Sequence, residues 1–317
     1  MDYRNTPTVT PVVPFLERQD AEALRKALKG GGTDKAPIIY IIAHRTNYQR
    51  QLIAQNYKQI FDRDLIEDLK HDLSGHFEDV MVALMTPMPL YLARELNRAM
   101  HGKTINKNTL VEVLCTRDRG SIENIKKAYN KEYGNDFTEV VKTATTGKLR
   151  EFLIRLTTAS RNEVTDDPQK AKNIAQQLYD AGEGRKGNFE TEFIRVFTKE
   201  SIPLLRQAFK EYKNIGQEDL SRVIDIEMAP DLKPIIKDAI ASVTNPWAFL
   251  AGELRCSMVG VGTRDHKLVR LLVARAEIDL ENIKQEYQTL YNTSLEKDIK
   301  GDTSGDYRKT LLALVDG

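Results

Sequence analysis

The residues whose spacing most invites chemistry are loop glycines: Gly30-Gly31-Gly32 near the amino terminus and Gly260-Val261-Gly262 near the carboxyl terminus. A glycine-rich backbone between two helices can turn several carbonyl oxygens toward one point. Calcium takes about six to eight hard oxygen ligands, and such carbonyls suit it. These loops lack a carboxylate, but one recurs at a constant distance: Asp72, Glu227 and Asp302 each lie 40 residues beyond Gly32, Gly187 and Gly262. A distant acid that closes a carbonyl loop is a discontinuous calcium site. About three carbonyls and one bidentate carboxylate leave roughly one to three positions for water or a lipid phosphate oxygen. The open positions would let calcium bridge the chain to an anionic surface.

The elements that position these residues are repeats. An offset of 230 superposes Leu28 to Asp34 on Met258 to Arg264, then carries Arg45 to Arg275, Tyr57 to Tyr287, Asp72 to Asp302 and Ser74-Gly75 to Ser304-Gly305. Offsets of 72 and 155 carry the same landmarks to Gly102, Arg117 and Tyr129, and to Gly187, Tyr212 and Glu227. A register kept this far predicts four copies of one unit. The spacing predicts an arm over 1–14, repeat I over 15–87, repeat II over 88–159, a polar proline-bearing linker over 160–170, repeat III over 171–243 and repeat IV over 244–317. Two chain-adjacent pairs joined by that linker are expected.

Within a repeat the apolar residues recur at three and four: Ala21, Leu24, Ala27 and Leu28, then Leu52, Ile53, Tyr57 and Ile60. No period of two competes, so the fold class is all-α, with about five short helices per repeat. Asp34 and Asp64 are expected helix N-caps, and Gly30 and Gly102 left-handed C-caps.

Composition excludes several classes. Lys and Arg number 47 against 46 Asp and Glu, so there is no positive excess of the kind nucleic-acid binding demands. Met1 to Pro14 has no apolar signal segment, and the apolar run around Ile38 to Ala43 is too short to span a bilayer. A cytosolic chain is expected, with Cys115 and Cys256 as buried or half-buried thiols rather than a disulfide or zinc site. No GxSxG, Walker loop or HExxH is present, so no enzymatic activity is expected. Gly182 to Gly187 spells GxGxxG, but it follows a helical pattern rather than the strand that a dinucleotide site needs.

The pattern Lys29-Gly30-Gly31-Gly32-Thr33, with the later Asp72-Leu73-Ser74-Gly75 and Asp302-Thr303-Ser304-Gly305, resembles the annexin repeat over essentially everything after about residue 15. The resemblance implies a curved all-α disc, reversible calcium-dependent binding to phosphatidylserine-like membranes and no catalysis. It implies a first site of the Leu28, Gly30 and Gly32 carbonyls with Asp72, and a fourth of Met258, Gly260 and Gly262 with Asp302. The third would use Gly182, Arg185 and Gly187 with Glu227. Gly31, Lys186 and Val261 would then be loop tips facing the membrane. It also implies a cytoplasmic, reversibly peripheral protein that self-associates on membranes, with the amino-terminal arm as a place for a protein partner. Glu95, Glu112, Arg117 and Arg270 resemble the charged residues lining the family's central channel, and a structural network is the favoured account.

Repeat II departs from the pattern. Its loop, Met100-His101-Gly102-Lys103-Thr104-Ile105, lacks the second glycine, and its acid position is Ala144, so this site is expected to be dead. Repeat III keeps Glu227 but follows it with Met228-Ala229-Pro230, and Asn188 replaces threonine, so weaker binding is expected. Arg45, Arg117 and Arg275 are expected to be structural cations, and Trp247 a packing anchor. A helical scaffold for protein partners is the alternative, and it leaves the glycine loops and their distant acids unexplained.

Overall fold

The computed structural model describes residues 4–29, 32–158, 161, 167–182, 188–216, 219–260 and 262–317. Among them are twenty α-helices and no strand, five helices in each repeat. Repeat I holds α1 (Glu17–Leu28), α2 (Lys35–Ala43), α3 (Asn47–Phe61), α4 (Leu65–Asp72) and α5 (Gly75–Met85). Repeat II holds α6 (Met88–His101), α7 (Lys107–Cys115), α8 (Arg119–Tyr133), α9 (Phe137–Ala144) and α10 (Gly147–Thr158). Repeat III holds α11 (Pro168–Ala181), α12 (Phe189–Lys199), α13 (Ile202–Ile215), α14 (Leu220–Glu227) and α15 (Lys233–Thr244). Repeat IV holds α16 (Pro246–Met258), α17 (Asp265–Arg275), α18 (Leu280–Tyr291), α19 (Leu295–Asp302) and α20 (Gly305–Asp316).

Local chemistry sets the helix starts. Asp34 accepts from the Ala36 amide and Asp64 from the Ile66 and Glu67 amides, as expected of N-caps. Thr46 and Gln49 form a reciprocal capping box on α3. Pro168 opens α11, where its missing N–H costs nothing, so this helix starts within the stretch whose composition reads as linker. The left-handed C-caps are not at the expected glycines. They lie at the ends of α3, α8 and α18, on Asp62, Gly134 and Asn292. Gly102 is not in the left-handed region, and Gly30 lies outside the described residues.

The pairing of repeats also differs from chain order. The chain forms two compact units: Met1–Tyr91 with Trp247–Gly317, and Leu92–Pro246. Repeat I thus packs with repeat IV, and repeat II with repeat III. One apolar core runs through the first unit, joining Leu24, Ile38 and Tyr57 to Leu268, Leu272 and Leu314. In the second, Phe152 of α10 meets Phe197 of α12 with ring centroids 5.6 Å apart. Burial drives this pairing: helices α2 and α5 carry more apolar surface than repeat I alone can cover, and α17 and α20 cover it.

Polar stitches reinforce the first unit. Arg50 is buried and donates from Nε to the Leu84 carbonyl at 2.7 Å, from Nη1 to the Ile42 carbonyl at 3.1 Å and to that of Arg45, and from Nη2 to Glu277 at 2.9 Å. Burial pulls the Arg50 guanidinium down to about 10, with Glu277 opposing the shift. The amino-terminal arm lies on the same unit. The Thr8 and Val9 amides donate to the Ala276 carbonyl at 2.9 and 3.0 Å, and Val12 exchanges backbone bonds with the Gln49 side chain. Trp247 is the anchor expected of it, buried and donating to Asp279 at 3.1 Å. Cys115 is buried, but Cys256 is exposed, contrary to expectation, because it falls on the outer face of α16.

Candidate functional site

The fourth helix of each repeat delivers the acid position. Each such helix is eight residues long and begins beside an N-cap, Asp64, Asp136, Asp219 or Ser294, whose side chain accepts backbone amides. The cap fixes the start, and the length then makes Asp72, Ala144, Glu227 and Asp302 the last helical residues. In repeats I, II and IV a glycine at φ near +60°, Gly75, Gly147 or Gly305, turns the chain into the next helix. That left-handed turn is what the Ser-Gly after the acid is for. Repeat III lacks the glycine and uses a longer turn through Ala229, Pro230 and Asp231 before α15 starts at Lys233.

The loops between first and second helices share one closure. Asp34 donates its amide to the Ala27 carbonyl at 3.0 Å, Asn106 to Ala99 at 2.9 Å and Arg264 to Ser257 at 2.8 Å. These pairs are related by the repeat offsets, so the frame of the loop survives in repeat II, which lacks the second glycine and the acid.

Repeat IV is the best-described site. Met258 ends α16, where the last carbonyls have no helical amide to accept from. Gly260 and Gly262 follow with φ of +120° and +80°, and an added Cβ at either would meet nothing within 4 Å. Conformation alone therefore calls for glycine there. Thr263 closes the loop: its hydroxyl donates to the Asp302 carboxylate at 2.6 Å and lies 3.0 Å from the Asp302 carbonyl. Half-buried Asp302, 40 residues beyond Gly262, thus stands against the loop. Thr263 is a site residue that ligand reasoning passed over. Its signal was its fixed place at the end of the glycine motif.

In repeat I, Leu28 ends α1, Gly32 is exposed and Asp72 is half-buried at the end of α4, where its Oδ1 lies 2.6 Å from His71 Nδ1. Gly30 and Gly31 lie outside the described residues, as do Arg185, Lys186, Gly187 and Val261. In repeat III, Gly182 caps α11, and any side chain there would come within 3.0 Å of Val223 and 3.1 Å of Phe189. Gly182 is therefore needed for packing against α12 and α14. Glu227 is exposed at the end of α14, and the GxGxxG that Gly182 begins follows a helix. In repeat II an added Cβ on Gly102 would lie 3.2 Å from the Thr104 carbonyl, and Ala144 offers no carboxylate. Its glycine is kept for close packing.

The donor set fits calcium better than a transition metal. Among the described residues no three His, Cys, Asp or Glu side chains gather as a metal cluster. Repeat IV instead brings one carboxylate to a carbonyl-rich turn, the hard-oxygen chemistry calcium selects. No described helix is long and apolar enough to cross a membrane.

Comparison with known proteins agrees with this architecture. A family model described as Annexin matches residues 19–84, 91–156 and 249–314. Annexin B10 of Drosophila melanogaster is 40% identical over 318 residues, covering 99% of each chain. Annexin A5 of Mus musculus is 41% identical over 312 residues, covering 98% of each. A solved structure of annexin III superposes with a TM-score of 0.95 at 39% identity, covering 99% of this chain and 98% of that one. A calcium-bound annexin (Sm)1 superposes with a TM-score of 0.90 at 32% identity, covering 99% of this chain and 93% of that one.

Proposed function

This chain belongs to the annexin family, a non-enzymatic family, and we propose that it binds anionic phospholipid surfaces when calcium occupies the loops of repeats I and IV. The observation that carries this reading is the contact between Thr263 and Asp302, which holds a carboxylate against a loop whose two glycines have positive φ. In repeat IV the ion is held by the Met258, Gly260 and Gly262 carbonyls with Asp302, and in repeat I by those of Leu28, Gly30 and Gly32 with Asp72. Bound calcium supplies positive charge with open oxygen positions that a lipid phosphate can complete. Glu227, with Gly182, Arg185 and Gly187, makes a weaker third site, and the repeat II loop makes none. The tips Gly31, Lys186 and Val261 face the lipid on sequence grounds alone.

One carboxylate per site makes calcium bind weakly in solution. Lipid then tightens calcium by the same factor that calcium tightens lipid. A near-neutral chain under this linkage is cytosolic at low calcium and peripheral on the membrane at high calcium.

Sedimentation with phosphatidylserine vesicles across a calcium series tests the reading. In the Asp72→Asn, Asp302→Asn double variant the calcium needed for half-maximal pelleting should rise at least roughly tenfold, because both sites lose their one carboxylate. Pelleting that persists in chelator, or a variant that needs no more calcium than the parent, would hand the protein to the scaffold reading.

A further inference from the structure

The signs of charge at two recurring positions follow the pairing of the repeats. The first position opens the second helix of each repeat. Lys35, Lys107 and Asp265 are the first residues of α2, α7 and α17, and Glu190 is the second of α12. The second position lies four residues beyond the acid position and is filled by His76, Lys148, Asp231 and Asp306. Repeats I and II thus carry Lys or His at both positions, and repeats III and IV carry an acid at both.

Within each compact unit the first position of one repeat faces the second position of the other. Lys35 Nζ lies 3.3 Å from Asp306 Oδ2, and His76 Nε2 lies 3.3 Å from Asp265 Oδ2, so repeats I and IV exchange two contacts of opposite sign. His76 also has Asp79 of its own helix 3.2 Å from Nδ1. In the other unit Lys107 Nζ reaches the Asp231 carbonyl at 3.2 Å. Lys148 Nζ meets Glu151 and the hydroxyl of Thr191, the neighbour of Glu190, each at 2.9 Å, while Glu190 accepts from the Ala229 amide. A basic repeat meets an acidic one in both units.

Helix chemistry does not call for these cations. The amino-terminal end of a helix carries partial positive charge, which favours acids in the first turn and disfavours Lys. Yet Lys35, Lys107, His76 and Lys148 all stand in first turns, of α2, α7, α5 and α10. Across the junction Lys309, then Lys35, holds the Asp306 carboxyl below the usual carboxylate range. With the same faces in contact, a chain-adjacent pairing of repeats I and II would set Lys35 beside Lys148 and Lys107 beside His76. Repeats III and IV would set Glu190 beside Asp306 and Asp265 beside Asp231. We propose that these eight residues are a charge code on the inter-repeat face, which admits a repeat of opposite sign and rejects the chain-adjacent repeat of like sign. The apolar cores supply the attraction, and the charges choose the partner, because a like-charged pair brought together at a packed junction is penalised more than an exposed opposite pair contributes. The signs are in the sequence, but only the fold shows that the two positions face each other.

The test uses the full chain in chelator, with urea unfolding and refolding at low and at high salt. Asp265→Lys with Asp306→Lys makes repeat IV basic, and should lower the folded-to-unfolded ratio about tenfold at low salt. Lys35→Asp with His76→Asp makes repeat I acidic and should act in the same direction once helix-end effects are subtracted. The chain with all four reversals closes a mutant cycle in which those helix-end effects cancel, and it should regain most of the loss. High salt should shrink both the loss and the recovery. The four-reversal chain also separates strength from choice: repeat I now suits repeat II, and repeat III suits repeat IV. Its yield of native monomer on dilution from urea, scored by size exclusion, should therefore fall below that of the parent at low salt although its stability has returned. Losses that simply add, a penalty that salt leaves intact, or a four-reversal chain that refolds as completely as the parent would overturn the code.

Discussion

In the unit that holds repeats I and IV, Tyr57 and Tyr287 donate to Asp68 and Asp298, each at 2.6 Å, and arginines from the first helices, Arg25 and Arg255, reach the same carboxylates. In the other unit the matching acid positions are Val140 and Val223, and the Tyr129 hydroxyl donates to Asn97 instead. Asp68 and Asp298 sit one turn before Asp72 and Asp302 on the same short helices. The tyrosine–aspartate–arginine latch therefore fixes, against the first and third helices, the element that carries the proposed calcium acid. Repeats I and IV have both latch and acid, repeat II has neither, and repeat III has the acid alone. The proposed binding geometry is held from behind as well as from the loop.

The largest effect that bears on this comparison is expected at Arg50. Arg50→Ala takes the guanidinium from Glu277, which keeps only the Asn47 amide, and from several buried carbonyls, and should cost about 3–5 kcal/mol, read as a lowered urea midpoint for the first unit. Arg161→Ala, in the connector between repeats II and III, strands no carboxylate among the described residues and should cost less, and equal losses would break the contrast between the units.

The latch comes next. Arg63, then Tyr57 and Arg25, hold the Asp68 carboxyl below the usual range, while burial and the Asp68 bond push the Tyr57 hydroxyl up to about 12. A carboxyl lowered in the folded state adds stability above its unfolded value of about 3.9, and that stability is lost as pH falls through the folded value. Asp68→Asn should cost about 1–3 kcal/mol at neutral pH, and the gap from the parent should close in strong acid. A gap that stays constant down to low pH in denaturation curves would remove the latch from the account.

The smallest effect is at the loop. Thr263→Val removes the hydroxyl that positions Asp302, and about 1 kcal/mol lost there raises the calcium requirement about fivefold in vesicle pelleting. A variant that needs no additional calcium would leave Asp302 positioned by its helix alone.

Much of this was legible in the chain. The glycine loops, the acids 40 residues on, the loss of the second glycine and the acid in repeat II and the all-helical class are patterns of period and composition, which need no coordinates. N-caps such as Asp34 and Asp64 are local chemistry and were readable for the same reason. The left-handed caps were not, because Asp62 and Asn292 adopt a conformation that nothing in their residue type requires. Which repeats pair was also beyond reading: the linker suggested I with II, but burial joined I to IV.

Arg161 marks the limit most clearly. By sequence it is one residue of a polar connector, yet in the fold its Nη1 takes the carbonyls of Phe197 and Glu200, the repeat III equivalents of those that Arg50 takes in repeat I. Its Nη2 is buried without a hydrogen-bond partner. Sequence by itself determined the repeats, their helices and the candidate calcium residues, because these follow from spacing along one chain. Tertiary structure alone decided which acid, hydroxyl or guanidinium meets which carbonyl, because hydrogen bonds depend on distances between segments that spacing does not encode.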